Sequence, residues 1–320
     1  MNISGFRICI GRLCRPLHPG MTVLWPFTEY TMRLALSILT DALAYGMVLF
    51  IISIGLSIMM GLMRVVNLAH GAFAMIGGYL ASYAIRDLNV HYSVAILLAV
   101  VGTIIVSIPF ELLLYRRIYR KSDPLIQVLM TIGITFLIIG VVNFIFGPTL
   151  KPIPLPPLLS GPLDIGFRSI PTHRLFVVAC GVVTALSLWW LIEKTEFGIK
   201  LRASVDHSGM ADSLGIRTEI IYAVTFALAI GLGAFGGVVG AEILLIEPFY
   251  ALRYMVTFLV VVSVGGAGSI MGALSASMLL GLADTTGKYL APEFGEFFFY
   301  LTVIVIVFLF PHGLFGRSHA

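Results

Sequence analysis

The run MRVVNLAHGAF, residues 63–73, places two strongly polar side chains in a stretch that is otherwise largely apolar. Asn67 and His70 are three positions apart, so on a helix they would share one face. Polar side chains inside a lipid-buried segment are costly and usually face a cavity or a protein partner. Two interpretations follow. Together with Gly71 they line or gate a path through the membrane, or they hydrogen-bond the backbone of neighbouring helices.

A second polar pattern lies in residues 124–150. Gln127, Thr131 and Thr135 recur at intervals of four residues, which draws one polar stripe along a helix. The stripe is a further candidate for the wall of a path. Hydrogen bonding between helices is the alternative, and the spacing fits both.

Several motifs that would carry other chemistry are missing or out of context. GLGAFG, residues 231–236, has the G-x-G-x-x-G spacing, but no strand precedes it, so helix packing is the better interpretation. No P-loop sequence is present, so any ATP must be handled by another chain. The seven histidines are scattered without a second ligand at helical spacing, and there is no G-x-S-x-G. We therefore expect no metal site, no catalytic residue and no cofactor in this chain.

The elements that carry these residues must be membrane helices. Of the 320 residues, 59% are hydrophobic and 11% are charged, against about 25% charged residues in soluble domains. Eight blocks free of Asp, Glu, Lys and Arg approach or exceed the roughly 20 residues that cross a bilayer. These blocks are residues 42–63, 65–85, 92–110, 124–150, 175–192, 220–241, 254–283 and 297–316. The sequence predicts an all-α polytopic membrane protein, a bundle of about eight or nine transmembrane helices, some broken or re-entrant.

The charged loops set the expected orientation. YRRIYRK, residues 115–121, and the loop 193–219 carry most of the basic residues between blocks, so both should face the cytoplasm. The proline-rich connector 147–174 should lie outside. We interpret the basic residues as the signal that orients the chain in the membrane, and we expect no nucleic-acid partner.

Residues 1–33 form an N-terminal extension that conflicts with this orientation, because they carry several arginines on the expected outer side. One hypothesis is that translation begins at Met21 or Met32; the other is a different topology at this end. Residues 34–316 form the expected membrane domain, and residues 317–320 a cytoplasmic tail.

The block 254–283 is long for one span, and its centre, VGGAGSIMG, is interrupted by glycines. It forms either one kinked span or a hairpin, and the hairpin places the C-terminus in the cytoplasm. Gly265, Gly266 and Gly268 are candidate hinge residues, since a broken membrane helix needs protein or water around its backbone.

The loop 193–219 contains a further pattern. Gly198 is expected to end the preceding helix, after which Arg202 and Asp206 stand at i and i+4 on a short helix. Met210, Ala211 and Leu214 would add an apolar face. The segment is either a docking knob or an ordinary solvated loop with one surface ion pair.

Two stretches together resemble a known family. NLAHG, residues 67–71, and EFGIKLRASVDHSGMADSLGI, residues 196–216, resemble the permease subunits of high-affinity branched-chain amino acid (Liv-type) ABC transporters. VVVSVGGAGSIMGALSASMLLGLAD and the terminal FPHGLFGR extend the resemblance over nearly all of residues 34–316.

The resemblance implies a subunit of an importer in the plasma membrane of a bacterium or archaeon, the inner membrane where there are two. Its partners would be a second permease subunit, two ATP-binding subunits, an external substrate-binding protein and membrane lipid. Substrates of such systems include branched-chain and other amino acids, short amides and urea. The loop would be the coupling helix that docks on the ATPase, which assigns that role to Gly198, Arg202, Ala203, Asp206, Met210, Ala211 and Gly215.

The leading hypothesis is therefore a transport subunit that is not itself an enzyme and works by alternating access. A self-sufficient secondary transporter or channel is the main alternative, and it would need acidic coupling-ion ligands, which the blocks lack. A membrane-embedded enzyme is the third, without a paired nucleophile and base.

Overall fold

The computed structural model describes residues 7–10, 13–16, 24–63, 65–115, 123–164, 169–310 and 313–315. The α-helices in these residues are α1 Leu24–Leu62, α2 His70–Arg86, α3 Tyr92–Phe110, α4 Pro124–Phe146, α5 Pro157–Ser160, α6 Thr172–Lys194, α7 Glu196–Asp206, α8 Ser208–Ser213, α9 Thr218–Val239, α10 Tyr250–Gly265, α11 Ile270–Leu290 and α12 Gly295–Leu309. A π-helical turn, Glu111–Tyr115, follows α3, and a 3-10 turn, Pro292–Phe294, precedes α12.

Strands are confined, in this part of the chain, to two small antiparallel hairpins. β1, Arg7–Ile10, pairs with β2, Leu13–Pro16, and β3, Pro162–Asp164, pairs with β4, Ser169–Pro171. Among the described residues, five helical stretches are long and apolar enough to cross a membrane. They are Leu34–Leu62, Tyr92–Leu113, Leu125–Phe146, Thr172–Lys194 and Thr218–Val239, with shorter apolar helices at Tyr250–Gly265 and Phe297–Leu309. The all-α polytopic fold is confirmed, and the total of eight or nine membrane segments stays a prediction.

Several helix limits differ from the predicted blocks. α1 begins far ahead of residue 42 and therefore includes an acidic residue, Asp41. Helix α2 begins only at His70, because the polar turn before it takes up Asn67. The basic residues 116–121, the tail 317–320 and most of the extension 1–33 lie outside the described residues, as does Arg64.

The block 254–283 is split into α10 and α11. Gly266 follows α10 with φ +90°, and Gly268 has φ +84°, a left-handed backbone region that favours glycine. Ser269 then caps α11, its hydroxyl oxygen accepting a hydrogen bond from the Gly272 N–H at 3.0 Å. These residues form a tight turn between two helices.

The contacts of α1 show that α10 and α11 run in opposite directions, as the hairpin interpretation predicts. Gly268, just before α11, lies against Gly61. Within α11, Gly281 lies against Gly46, and the Tyr289 hydroxyl donates to Asp41 at 2.6 Å. Helix α10 begins beside the same cavity that Asp41 lines and ends at the turn beside Gly61. We call these two poles of the bundle the Asp41 end and the Gly61 end.

The segments that follow α6 lie at the Gly61 end. Leu188 and Ile192, in the last turns of α6, share an apolar cluster with Ile54 and Ile58 of α1. The loop 193–219, which the basic charge assigns to the cytoplasm, therefore continues from this end. The Leu314 N–H donates to the Val264 carbonyl at 2.7 Å, so the last described residues reach the Gly61 end too.

Glycines allow α9 to approach α1 and α2 at backbone distance. Gly236 and Gly240 face Ile52 and Val48 of α1, and Gly237 faces the carbonyl of Ala74 in α2. Since lipid is as apolar as the helices, close packing of small residues is a main source of helix association in membranes. The GLGAFG run lies inside α9, and packing explains its glycines.

Replacing Gly237 tests this packing. A methyl group there would overlap the carbonyl oxygen of Ala74, and overpacking typically costs about 1–3 kcal/mol. We expect Gly237→Ala to lower the melting temperature of the purified protein in detergent. Gly140→Ala in α4 is the matched control, because no atom lies within 4 Å of the added carbon. Equal losses in both variants would contradict the packing account.

Candidate functional site

The His70 side chain is buried between three helices. Its Nε2–H donates to the Ile52 carbonyl of α1 at 2.9 Å. A side-chain carbon at Gly55 of α1 would lie 2.8 Å from the ring, and one at Gly233 of α9 would lie 3.0 Å from it. The imidazole therefore occupies a slot that exists only because both positions are glycine. This contact matches the interpretation in which His70 bonds the backbone of a neighbouring helix.

Asn67 does not share a helix face with His70, and that prediction is wrong. Asn67 lies in the turn before α2, where its Oδ1 accepts from the Ala69 N–H at 3.0 Å. Asparagine favours such turns because its side chain bonds its own backbone two residues further on. Gly71 packs at ordinary distance against Ala251 of α10.

The stripe on α4 is buried, and its first residue reaches the same turn. Gln127 Oε1 accepts from the Val66 N–H at 3.1 Å, next to Asn67 in the chain. The Thr131 and Thr135 hydroxyls each donate to the carbonyl four residues earlier in α4, at 2.9 Å. The structure thus brings Gln127, Asn67 and His70 into one region, where their described bonds hold the chain in place.

The glycine turn between α10 and α11 is held from two sides. The Gly268 N–H lies 3.1 Å from the Ser57 carbonyl and 3.0 Å from the Ser57 hydroxyl of α1. The Phe315 N–H donates to the Gly265 carbonyl at 3.3 Å from the other side. Gly265 also lies against the backbone of Gly272, which brings the end of α10 and the start of α11 together.

The segment α7–α8 is an ordered knob packed onto the bundle. One detail of its prediction is wrong: helix α6 ends at Lys194, and Gly198 lies inside α7 against the Ile192 carbonyl, where a side chain would not fit. Arg202 and Asp206 lie four residues apart on the short helix α7, as predicted, and Arg202 pairs with Glu193 at 3.3 Å.

Other contacts fix the knob. The Tyr222 hydroxyl of α9 donates to the Ser204 carbonyl at 2.7 Å. Lys200 donates to Glu196 at 2.9 Å, and this hydrogen bond lowers the pKa of the Glu196 carboxyl.

The far side of the knob carries exposed apolar groups. Met210 is 66% exposed and Leu214 is 76% exposed, whereas Ala211 between them is buried. Gly215, with φ +83°, ends the short helix α8. Two large apolar side chains thus stand together at the Gly61 end, on a rigid support.

A cavity of about 420 Å³ lies at the Asp41 end, and it was not predicted from the sequence. Its wall includes Asp41 and Asp284, which the charge-free blocks exclude by a single residue each. Both lie inside helices, α1 and α11. The blocks themselves lack acidic residues, as the sequence shows, but the helices extend beyond the blocks and include these two acids. The available signal was the i, i+4 spacing of Asp284 and Lys288, which ion pairs on helices favour.

Two further acids at the Asp41 end have basic partners within the chain. Glu242 lies 2.8 Å from His173, and Glu247 lies 3.0 Å from Arg253. Across the described residues, no three side chains of His, Cys, Asp or Glu come together as a metal site would require.

The fold defines a polytopic, all-α membrane protein. Its buried polar groups join helices, and its charged cavity and apolar knob stand at opposite ends of one bundle.

Comparison with known proteins names the family. The chain belongs to the family described as branched-chain amino acid transport system / permease component, whose model matches residues 38–307. It is a multi-pass protein of the inner, or plasma, membrane.

Three curated relatives are similar over most of their length. The high-affinity branched-chain amino acid transport system permease protein LivH of Escherichia coli K12 is 26% identical, covering 87% of this chain and 94% of LivH. BraD of Pseudomonas aeruginosa, a permease protein of the same description, is 29% identical, with 87% and 95% covered. A probable LivH of Methanocaldococcus jannaschii is 28% identical, with 87% and 92% covered. None of the solved structures matches the chain significantly.

Shortening the His70 side chain tests its role in joining the helices. His70→Ala removes the bond to Ile52 and empties the slot, and large-to-small changes in packed interiors cost about 2–5 kcal/mol. We expect a lower melting temperature for the purified protein. His207→Ala is the control, because His207 is exposed. If both variants melt as the parent does, the ring does not hold α1, α2 and α9 together.

Proposed function

We propose that the chain is one of two permease subunits of an ATP-binding cassette importer that moves branched-chain amino acids, or related small polar solutes, by alternating access. The observation that carries this is the family match over residues 38–307, together with three permease relatives that align over nearly their whole length. Urea and short amides are the alternative substrates. The chain needs no cofactor, and ATP hydrolysis belongs to partner chains.

The knob is the proposed docking site for an ATP-binding subunit. Exposed apolar groups that stand together mark a surface that a partner covers, and Met210 and Leu214 do so at the end assigned to the cytoplasm. Arg202, paired with Glu193, would hold α7 on the end of α6. In this proposal Gly198, Ala203, Asp206, Ala211 and Gly215 shape the knob.

The Asp41 end is the proposed seat of the external binding protein, and the second permease subunit completes the path. Residues of α2, of the turn before it and of α4 would line this path: Asn67, His70, Gly71, Gln127, Thr131 and Thr135. Gly265, Gly266 and Gly268 are the proposed hinge, which the contacts to Ser57 would restrain. Membrane lipid surrounds the outer helices.

A secondary transporter or channel is the second candidate, and one observation favours it. Asp41 and Asp284 lie in helices beside one cavity, and acids inside membrane helices are where coupling ions bind. The two candidate functions differ in the partner subunits that they require.

Isolation of the tagged chain from its native membrane separates them. The importer predicts recovery with two ATP-binding chains and a second permease chain, counted by native mass spectrometry. A chain recovered alone, in an assembly of its own copies, would contradict the importer and favour the second candidate.

Charging the knob tests its role as the docking site. We expect Met210→Asp together with Leu214→Asp to abolish recovery of the ATP-binding chains. Docking would then bury two carboxylates without partners in an apolar interface, which is strongly unfavourable. Both side chains are largely exposed, so the fold and melting temperature should hold. Leu158→Asp in α5, also exposed but beyond the Asp41 end of α6, is the control. Unchanged recovery in the double variant would assign docking to another surface.

A further inference from the structure

The cavity at the Asp41 end is lined by charges of both signs. Its acids are Asp41 and Asp284, and its bases are Arg174, Arg253 and Lys288. Its volume of about 420 Å³ falls within the range of about 300–1,000 Å³ that small-molecule sites occupy. Such a mixture suits a small ligand that carries both charges.

The ion pair of Lys288 and Asp284 in the cavity wall has one exposed member and one buried member. Lys288 Nζ lies 2.6 Å from Asp284 Oδ2, and the Asp284 side chain is 7% exposed whereas that of Lys288 is 53% exposed. Asp284 is held in the wall by its helix. The Lys288 ammonium stands on a flexible four-carbon stem, so it can turn towards a ligand without moving the backbone.

The other acid is fixed by two neighbours. Asp41 pairs with Arg174 of α6 and accepts a hydrogen bond from the Tyr289 hydroxyl at 2.6 Å. These contacts tie α1, α6 and α11 together at the mouth of the cavity. Asp41 is thus a structural anchor of three helices.

The rest of the wall is aromatic and aliphatic. Tyr45, Tyr254 and Phe299 line it beside Ile243 and Leu244. Lys288 Nζ lies 5.3 Å from the centre of the Tyr45 ring, and the Arg253 guanidinium lies 5.6 Å from that of Tyr254. These groups would cover the branched apolar side chain of a ligand, while the charged groups of the ligand face the ion pair.

We infer that this cavity binds a zwitterionic α-amino acid, with its ammonium group on Asp284 and its carboxylate on Lys288. The inference rests on the proposed function and adds a substrate site within the permease chain itself. The Asp284–Lys288 pair opens to admit the ligand, and each of its members gains a new partner of opposite charge. A ligand that lacks one charge leaves one member of the pair unmatched.

The first arm of the test varies the ligand and leaves the protein unchanged. Radiolabelled leucine is bound to the purified permease complex in nanodiscs without the binding protein, and leucine amide and 4-methylpentanoate compete for it. Each competitor lacks one of the two charges. We expect both to bind at least about tenfold more weakly than leucine, because a charged hydrogen-bonding group is left without its partner.

The second arm varies the protein. Asp284→Asn combined with Lys288→Gln keeps a hydrogen-bonded neutral pair, and we expect leucine affinity to fall at least about tenfold. Arg86→Gln combined with Glu293→Gln is the control, because it removes one base and one acid at the same end that do not line the cavity. Melting temperatures of both double variants show that the complexes are folded. Asp284→Asn alone should narrow the gap between leucine and 4-methylpentanoate.

Leucine affinity that is unchanged in the cavity variant would overturn the inference. So would the absence of leucine binding to a complex that imports leucine, and either result leaves the proposed function standing. A complete system with its binding protein that imports a small polar solute such as urea but no amino acid would overturn this inference and leave the proposed function standing. A complete system that imports no small solute at all would overturn both.

Discussion

Backbone-to-backbone contact around α1 is the constraint on which the rest of the structure depends. Lipid removes the hydrophobic force between helices, so helices associate where small residues let them approach closely. Gly46 and Gly61 of α1 meet Gly281 and Gly268 of the α10–α11 hairpin, and Gly55 leaves room for the His70 ring. The apolar part of α1 is largely buried by its neighbours. These contacts form the slot for His70 and one side of the glycine turn.

This packing offers a physical route from one end of the bundle to the other. The knob is bonded to α9 through Tyr222 and Ser204, and α9 lies against α1 and α2 through its glycines. Helix α1 then carries Asp41 at the opposite end, next to the charged cavity. In the proposed importer, closure of the ATP-binding subunits would push on the knob and move α9 and α1 as one body. His70 would then join α2 to that body through the Ile52 carbonyl, and Gln127 would hold α4 to the turn before α2.

Much of the fold could be predicted from the sequence, because apolar blocks between basic loops leave few alternatives to membrane helices. The hairpin at VGGAGS and the packing role of GLGAFG followed from where glycine is tolerated. What failed has two causes. Ending each block at the first charged residue left out Asp41 and Asp284, although the helices continue through both. Asp41 pairs with Arg174, which is distant in the sequence, and Asp284 pairs with Lys288, one helical turn further on. Local spacing also placed Asn67 on a helix, while its side chain bonds the Ala69 N–H and delays the helix start. Arg202 pairs with Glu193 at the end of α6, and spacing along one helix does not encode a pair between two helices.

In the proposed importer, this chain moves solute only as part of an ATP-driven assembly whose Gly61 end faces the cytoplasm. The most direct test is leucine uptake by proteoliposomes that contain the isolated complex, with ATP enclosed and binding protein outside. The account predicts accumulation against a gradient that requires both, and no uptake by liposomes that hold this chain alone. Leucine flux through the chain alone, without ATP, would contradict it.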